Sequence, residues 1–173
     1  MVEQLKRLEH EGYHFEVADG SLELLMRRAT GWKPDWFEVE SFRVITDDRR
    51  GIATLTDATE ATVTTEATVK VLREGRRVIA TAEGNGPVNA LDCALRTALN
   101  GSFPALERVR LTDYKVRVLD TNKGTGAVTR VLIDSTDGDQ TWTTIGVNEN
   151  IIEASWQALL DSIHFGLLRA GQA

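Results

Sequence analysis

Apolar positions along this chain change period, and the changes mark its organisation. Leu5 and Leu8 lie three residues apart, as on one face of a helix, until Gly12 breaks the pattern. Tyr13 to Val17 reads as a short extended stretch. A second helix follows, capped by Asp19 or Ser21 and carrying Leu22, Leu25 and Met26, with Gly31 beyond its end. Pro34 marks a linker, and a domain boundary is placed at residues 34–37. Gly51 to Thr59 reads as a loop or irregular strand.

The period then becomes two. Ala61, Val63, Thr65, Ala67, Val69 and Val71 alternate with Thr62, Thr64, Glu66, Thr68 and Lys70. Glu74 and Gly75 supply a turn, and Arg77 to Ala82 returns as the second arm of a hairpin. Gly86 and Pro87 open a helix with Val88, Leu91, Leu95 and Ala98 on one face, ended by Asn100 and Gly101. The same order then recurs. Tyr114, Val116 and Val118 face one way and Lys115 and Arg117 the other. Val128 to Asp134 and Gln140 to Ile145 form a second hairpin across Asp137-Gly138, and a helix from Asn148 or Asn150 carries Ile152, Ser155, Leu159 and Ile163. Ala90, Ala94 and Leu95 recur 64 residues later as Ala154, Ala158 and Leu159, which supports an internal duplication. The expected fold is α+β: two pseudo-repeated βββα units forming a two-layer sheet/helix domain over residues 37–173, preceded by a small helical subdomain over 1–36. The seam between two related halves is a natural place for a ligand.

Composition narrows the function classes. Over 173 residues, 42% hydrophobic and 27% charged content is that of a soluble globular protein. Apolar runs of a few residues exclude a membrane-spanning helix, and the first twenty residues hold no signal-peptide core. One cysteine, Cys93, excludes an internal disulfide framework, and the expected compartment is cytoplasmic. A net charge of -6 without a long basic run argues against a nucleic-acid surface.

Candidate chemistry is sparse. His10-Glu11-Gly12-Tyr13-His14 spells H-E-x-x-H, which as a metal site needs both histidines on one helical turn. Gly12 weakens that helix by about 1 kcal/mol relative to alanine, so a helix end followed by an extended segment is the simpler reading. Cys93, without an activating partner nearby, reads as a buried structural thiol. Gly84-Asn85-Gly86-Pro87 and Gly124-Thr125-Gly126 are neither a P-loop nor a dinucleotide fingerprint. Turn geometry alone accounts for their glycines, yet backbone N–H groups exposed at a helix start also bind carboxylates. Asn148-Glu149-Asn150 stands at the corresponding point of the second half. Asp113 and Tyr114 interrupt a strand between Leu111 and Val116, either as a solvated bend or as a pair that fixes an ammonium group. No pair of acids has the spacing of general acid–base work.

Three segments, TAEGNGPVNALDCALRTAL (Thr81 to Leu99), LTDYKVRVLDTNKGTGAVTRVLIDS (Leu111 to Ser135) and WTTIGVNENIIEASWQALLDSI (Trp142 to Ile163), resemble the LeuA-type regulatory domain. That domain closes the chains of 2-isopropylmalate and citramalate synthases. GYHFEVADGSLELLMRR (Gly12 to Arg28) resembles the small subdomain before it. DYKVRVLD together with NIIEASWQAL is closer to the citramalate enzymes.

The resemblance implies two βββα units, a homodimer formed through them, and feedback inhibition by a bound pathway end product. That effector is isoleucine in the citramalate branch and leucine in the isopropylmalate branch. The parent enzymes condense acetyl-CoA with a 2-oxo acid, pyruvate for citramalate, on a separate TIM barrel that uses a divalent metal. Such a barrel needs about 250 residues, and its His-x-His has no counterpart among His10, His14 and His164. The chain is therefore expected to be an excised, non-catalytic part without a cofactor of its own, unless a regulator of this size exists in its own right. The effector is expected in the seam, close to the dimer contact. Its carboxylate would meet N–H groups at Asn148, Glu149, Asn150 and Ile151 or in the turn of Gly124, Thr125, Gly126 and Ala127. Asp113 would accept from its ammonium, and Tyr114, Val116, Val128 and Ile152 would line the side-chain pocket. A stand-alone amino-acid-binding module and a purely structural dimerisation domain are the rival readings.

Overall fold

A computed structural model describes residues 2–49 and 62–171. The loop expected at Gly51 to Thr59, and Ala61 of the alternating strand, lie outside the described residues. The chain divides into two compact units: Asp35–Asn100, and Met1–Pro34 together with Gly101–Ala173.

Helix α1 (Val2–Glu11) stops where Gly12 adopts φ +112, and a 3-10 turn follows at Phe15–Val17. Helix α2 (Asp19–Ala29) starts without a side-chain cap, contrary to the expected role of Asp19 or Ser21. Their oxygens are used on a strand, as described below. Leu22 and Leu25 pack inward as expected, but Met26 is 45% exposed.

The Asp35–Asn100 unit holds β1 (Glu38–Arg49), β2 (Thr62–Arg73) and β3 (Arg76–Gly84) as an antiparallel sheet in that order, followed by α3 (Pro87–Leu99). The period of two in β2 buries Thr65, Ala67, Val69 and Val71 and leaves Thr64, Glu66 and Lys70 outside. Glu74 and Gly75 turn the hairpin with positive φ at both positions, the geometry that matches strand twist. Pro87 at the first turn of α3 sets its start, and Ala90, Leu91, Ala94, Leu95 and Ala98 bury its inner face. Cys93 is free and half-buried, short of the burial expected for it.

The other unit repeats the order with β4 (Arg110–Val118), β5 (Thr129–Thr136), β6 (Thr141–Asn148) and α4 (Ile151–Arg169). Two details support duplication beyond element order. The first strand of each sheet carries a register irregularity near its start, between Val39 and Ser41 in one and Leu111 and Asp113 in the other. The last strand of each carries a glycine against its helix. A Cβ on Gly84 would lie 2.8 Å from Ala90 Cα, and one on Gly146 would meet the carbonyl of Ala154. Ala90 and Ala154 are the pair recurring 64 residues apart. Small residues on both sides let helix and sheet approach closely.

In this unit the sheet is covered on both faces. Thr144 Oγ1 donates to the Ala158 carbonyl on the α4 side. On the other side Ile145 and Val147 join Phe15 and Ala18 in a buried cluster with Leu5, Leu8, Leu22, Leu25 and Leu132 packed around it. The β6 edge is capped by side chains. Thr143 N–H donates to Asp19 Oδ1, Ile145 N–H to Ser21 Oγ and Val147 N–H to Gln157 Oε1. An exposed strand edge invites pairing with other chains, and α2 closes this one.

Candidate functional site

Strand β4 carries the first group of expected effector residues, and it is continuous. The interruption expected at Asp113 and Tyr114 is the bulge between Leu111 and Asp113. Beyond the bulge, Tyr114, Val116 and Val118 pair with Ile133, Val131 and Thr129 on the α4 face of the sheet. Tyr114 reaches α4, its hydroxyl 2.7 Å from Ser155 Oγ, which itself donates to the Ile151 carbonyl at 2.6 Å. Asp113 points the other way, opposite Asp134. Lys115 Nζ bridges both carboxylates, at 2.6 Å from Asp113 and 3.1 Å from Asp134. That lysine, with the Tyr114 N–H at 2.8 Å, holds the Asp113 carboxyl below the usual carboxylate range. Leu111, Val116 and Val118 are exposed on this edge strand.

The α4 start carries the second group. Asn148 Oδ1 accepts from Asn150 N–H and Asn150 Oδ1 accepts from Ile152 N–H, a pair of Asx caps that holds the first turn. One of the backbone donors expected to meet a carboxylate, the Asn150 N–H, is therefore already engaged by a side chain. Gly124, Thr125 and Gly126 are exposed in a 3-10 segment, Thr121–Gly126, where Gly124 has φ +57, and Ala127 is buried at its end. Val128 packs with the buried cluster around Phe15. Val128, Asn148 and Glu149 line a groove of about 720 Å³ together with His10, Gly12 and Arg130. Arg130 Nε donates to the Gly12 carbonyl at 2.6 Å, and burial, with the charge of Arg117, pushes the guanidinium pKa down. Thus Tyr114 is joined to α4 through Ser155, Val128, Asn148 and Glu149 share one groove, and Asp113 lies on the opposite sheet face from Tyr114.

His10 lies within α1 and His14 beyond it, so the H-E-x-x-H letters do not share a helical turn. Among the described residues no group of three metal-ligating side chains converges.

Helix α4 also carries a polar stripe that the sequence analysis does not include among the candidate residues. From Ala154 to Leu167 every residue is buried except Gln157, Leu160, Asp161 and His164. Their spacing puts them on one face. Asp161 accepts from Ser21 Oγ at 2.8 Å and from Arg28 Nη2 at 3.0 Å. Gln157 Oε1 accepts from the Tyr13 hydroxyl at 3.2 Å. Burial and the Arg28 charge lower the His164 pKa to about 4.

Residues 16–167 match the LeuA allosteric (dimerisation) domain. The chain belongs to that family. It is 52% identical over all its length to an (R)-citramalate synthase of Streptomyces coelicolor and 46% identical over 98% of its length to one of Aquifex aeolicus. A 2-isopropylmalate synthase of Shewanella frigidimarina is 27% identical over 84% of the chain. The chain spans 31%, 30% and 24% of these three proteins. This LeuA domain is thus of the citramalate synthase-like type. No helix among the described residues is long and apolar enough to cross a membrane.

Proposed function

We propose that this LeuA domain dimerises and binds isoleucine, and so feedback-regulates an enzyme that condenses acetyl-CoA with pyruvate. The supporting observation is the gap between 52% identity to a citramalate synthase and 27% to a 2-isopropylmalate synthase, each over most of the chain. The exposed apolar residues of β4, Leu111, Val116 and Val118, supply a surface for a second copy. The effector lies at the β4 and α4-start end. Val116 and Ile152 take its aliphatic side chain, and the Tyr114–Ser155 pair ties β4 to the first turn of α4. Burying a branched side chain contributes about 1.5–3 kcal/mol, and one methylene discriminates by about 1–3 kcal/mol, so isoleucine and leucine are told apart by pocket shape.

Calorimetric titration with isoleucine, leucine and valine tests this. Isoleucine binding that Val116→Ala weakens supports the reading. Leucine preference moves the domain to the isopropylmalate branch, and the absence of binding by all three leaves dimerisation alone.

A further inference from the structure

Beneath the two N-terminal helices lies a cavity of about 320 Å³, away from the β4 edge and from the turn at Thr121–Gly126. Its volume is at the low end of small-ligand pockets, about 300–1,000 Å³. Phe15, Leu25, Ile145 and Leu160 give it an apolar lining, and Tyr13, Gln157, Arg28, Asp161 and His164 give it polar groups. Leu160, Gln157, Asp161 and His164 belong to the stripe of α4.

The carboxylate of Asp161 is the group that reads out what the cavity takes. Its side chain is 18% exposed and is in contact, among the described residues, with one cation, Arg28, whose own side chain is 40% exposed and reaches toward solvent. Burial pushes the Asp161 carboxyl above its usual range although Arg28 and Ser21 pull it down, so the contacts present do not offset its desolvation. A further positive group at the cavity wall would. His164 does not supply one, since burial keeps its imidazole neutral down to about pH 4.

We propose that this cavity binds a small aliphatic molecule through an ammonium group, the ammonium on Asp161 and the hydrocarbon body on Phe15, Leu25, Ile145 and Leu160. Two sources share that chemistry, an aliphatic α-amino acid and a simple aliphatic amine. Arg28 separates them, because only the amino acid carries a carboxylate for its guanidinium to meet. The site is distinct from the effector position proposed above and does not depend on it.

The test is calorimetric titration of the chain with leucine and with isoamylamine, in wild type and in four variants. At least one ligand binds saturably. Asp161→Asn, nearly isosteric, weakens that binding by about tenfold or more. Leu25→Trp, which fills the cavity, abolishes it, and Lys70→Gln, an exposed position of the Asp35–Asn100 unit, leaves it unchanged. Loss of leucine but not isoamylamine affinity in Arg28→Gln identifies the amino acid; equal binding of both ligands, indifferent to Arg28→Gln, identifies the amine. On wild type, NMR contacts from the ligand methyls to the Ile145 and Leu160 methyls locate it without reliance on a variant's folding. Binding of neither ligand overturns the proposal. So does binding that Asp161→Asn leaves intact, or ligand contacts to β4 alone. Failure of the β4 effector reading shows separately, as isoleucine binding indifferent to Val116→Ala.

Discussion

The closest approach of helix to sheet supplies the most demanding prediction. Gly146 sits in β6 facing the α4 backbone, and its φ lies outside the left-handed region, so alanine is conformationally permitted there. On conformational grounds alone, alanine in a strand would stabilise by about 0.5–1 kcal/mol. Space reverses the sign. The added Cβ would overlap the Ala154 carbonyl oxygen, lie 2.8 Å from its carbon and 3.0 Å from Gln157 Cβ. Two of these three atoms are backbone and have no rotamer in which to escape, so α4 must lift off the sheet it covers. Overpacking of this kind costs about 1–3 kcal/mol, and the upper end applies where backbone meets Cβ. Near 3 kcal/mol in a chain of this size lowers Tm by about 6–12 °C. Gly126→Ala, with nothing within 4 Å of the new methyl and an exposed site, serves as the control and should leave Tm within about 2 °C. Gly84→Ala, the matching position of the other unit, should behave like Gly146→Ala. Thermal denaturation followed by circular dichroism reads all three. A Gly146→Ala protein as stable as wild type would refute the argument that close backbone approach requires this glycine.

Three further expectations concern polar links. Asn150→Ala removes the cap on Ile152 N–H and should cost about 1 kcal/mol in urea unfolding. Ser21→Ala leaves the Ile145 N–H without its acceptor and takes one donor from Asp161, at a cost of about 1–3 kcal/mol by the same assay. His164 has a folded pKa lowered from 6.5 to about 4, so the unfolded chain takes its proton first as pH falls. The stability it contributes is present above pH 6.5 and is lost on acidification, by up to about 3 kcal/mol. Asp161 acts in the opposite sense, since its raised pKa favours the folded state below 3.8 and loses that contribution as pH rises. Urea unfolding at pH 7.5 and 5.0 should therefore show His164→Gln losing less stability than wild type, with Asp161, Arg28 and Tyr13 facing the position in both proteins. An equal loss in both would rule out His164 as the responsible group.

How legible the chain is depends on whether local pattern or distant packing decides. The β2 alternation, the Glu74-Gly75 turn, Pro87 at the α3 start and the Asn150 cap are local chemistry, and the elements form where the residues indicate. β1 is not legible in the sequence, because its bulge between Val39 and Ser41 shifts the inward set from Val39 to Phe42 and Val44 and destroys the period of two. The same device near Leu111 made β4 read as interrupted. Asp19 and Ser21 carry the side chains of helix caps but serve the β6 edge, more than 120 residues away in the chain, which no local rule reveals. The polar stripe of Gln157, Asp161 and His164 was visible as i, i+4, i+7 spacing on an apolar helix. What it faces, the two N-terminal helices, is a tertiary fact.

The central claim is an effector-responsive dimer, and sedimentation equilibrium of the purified chain with and without isoleucine tests it most directly. The account requires a species of twice the 19.1 kDa chain mass whose dissociation constant falls when isoleucine is added, since a ligand that binds the dimer preferentially must tighten it. A chain that stays monomeric at every concentration, with isoleucine present or absent, would contradict it.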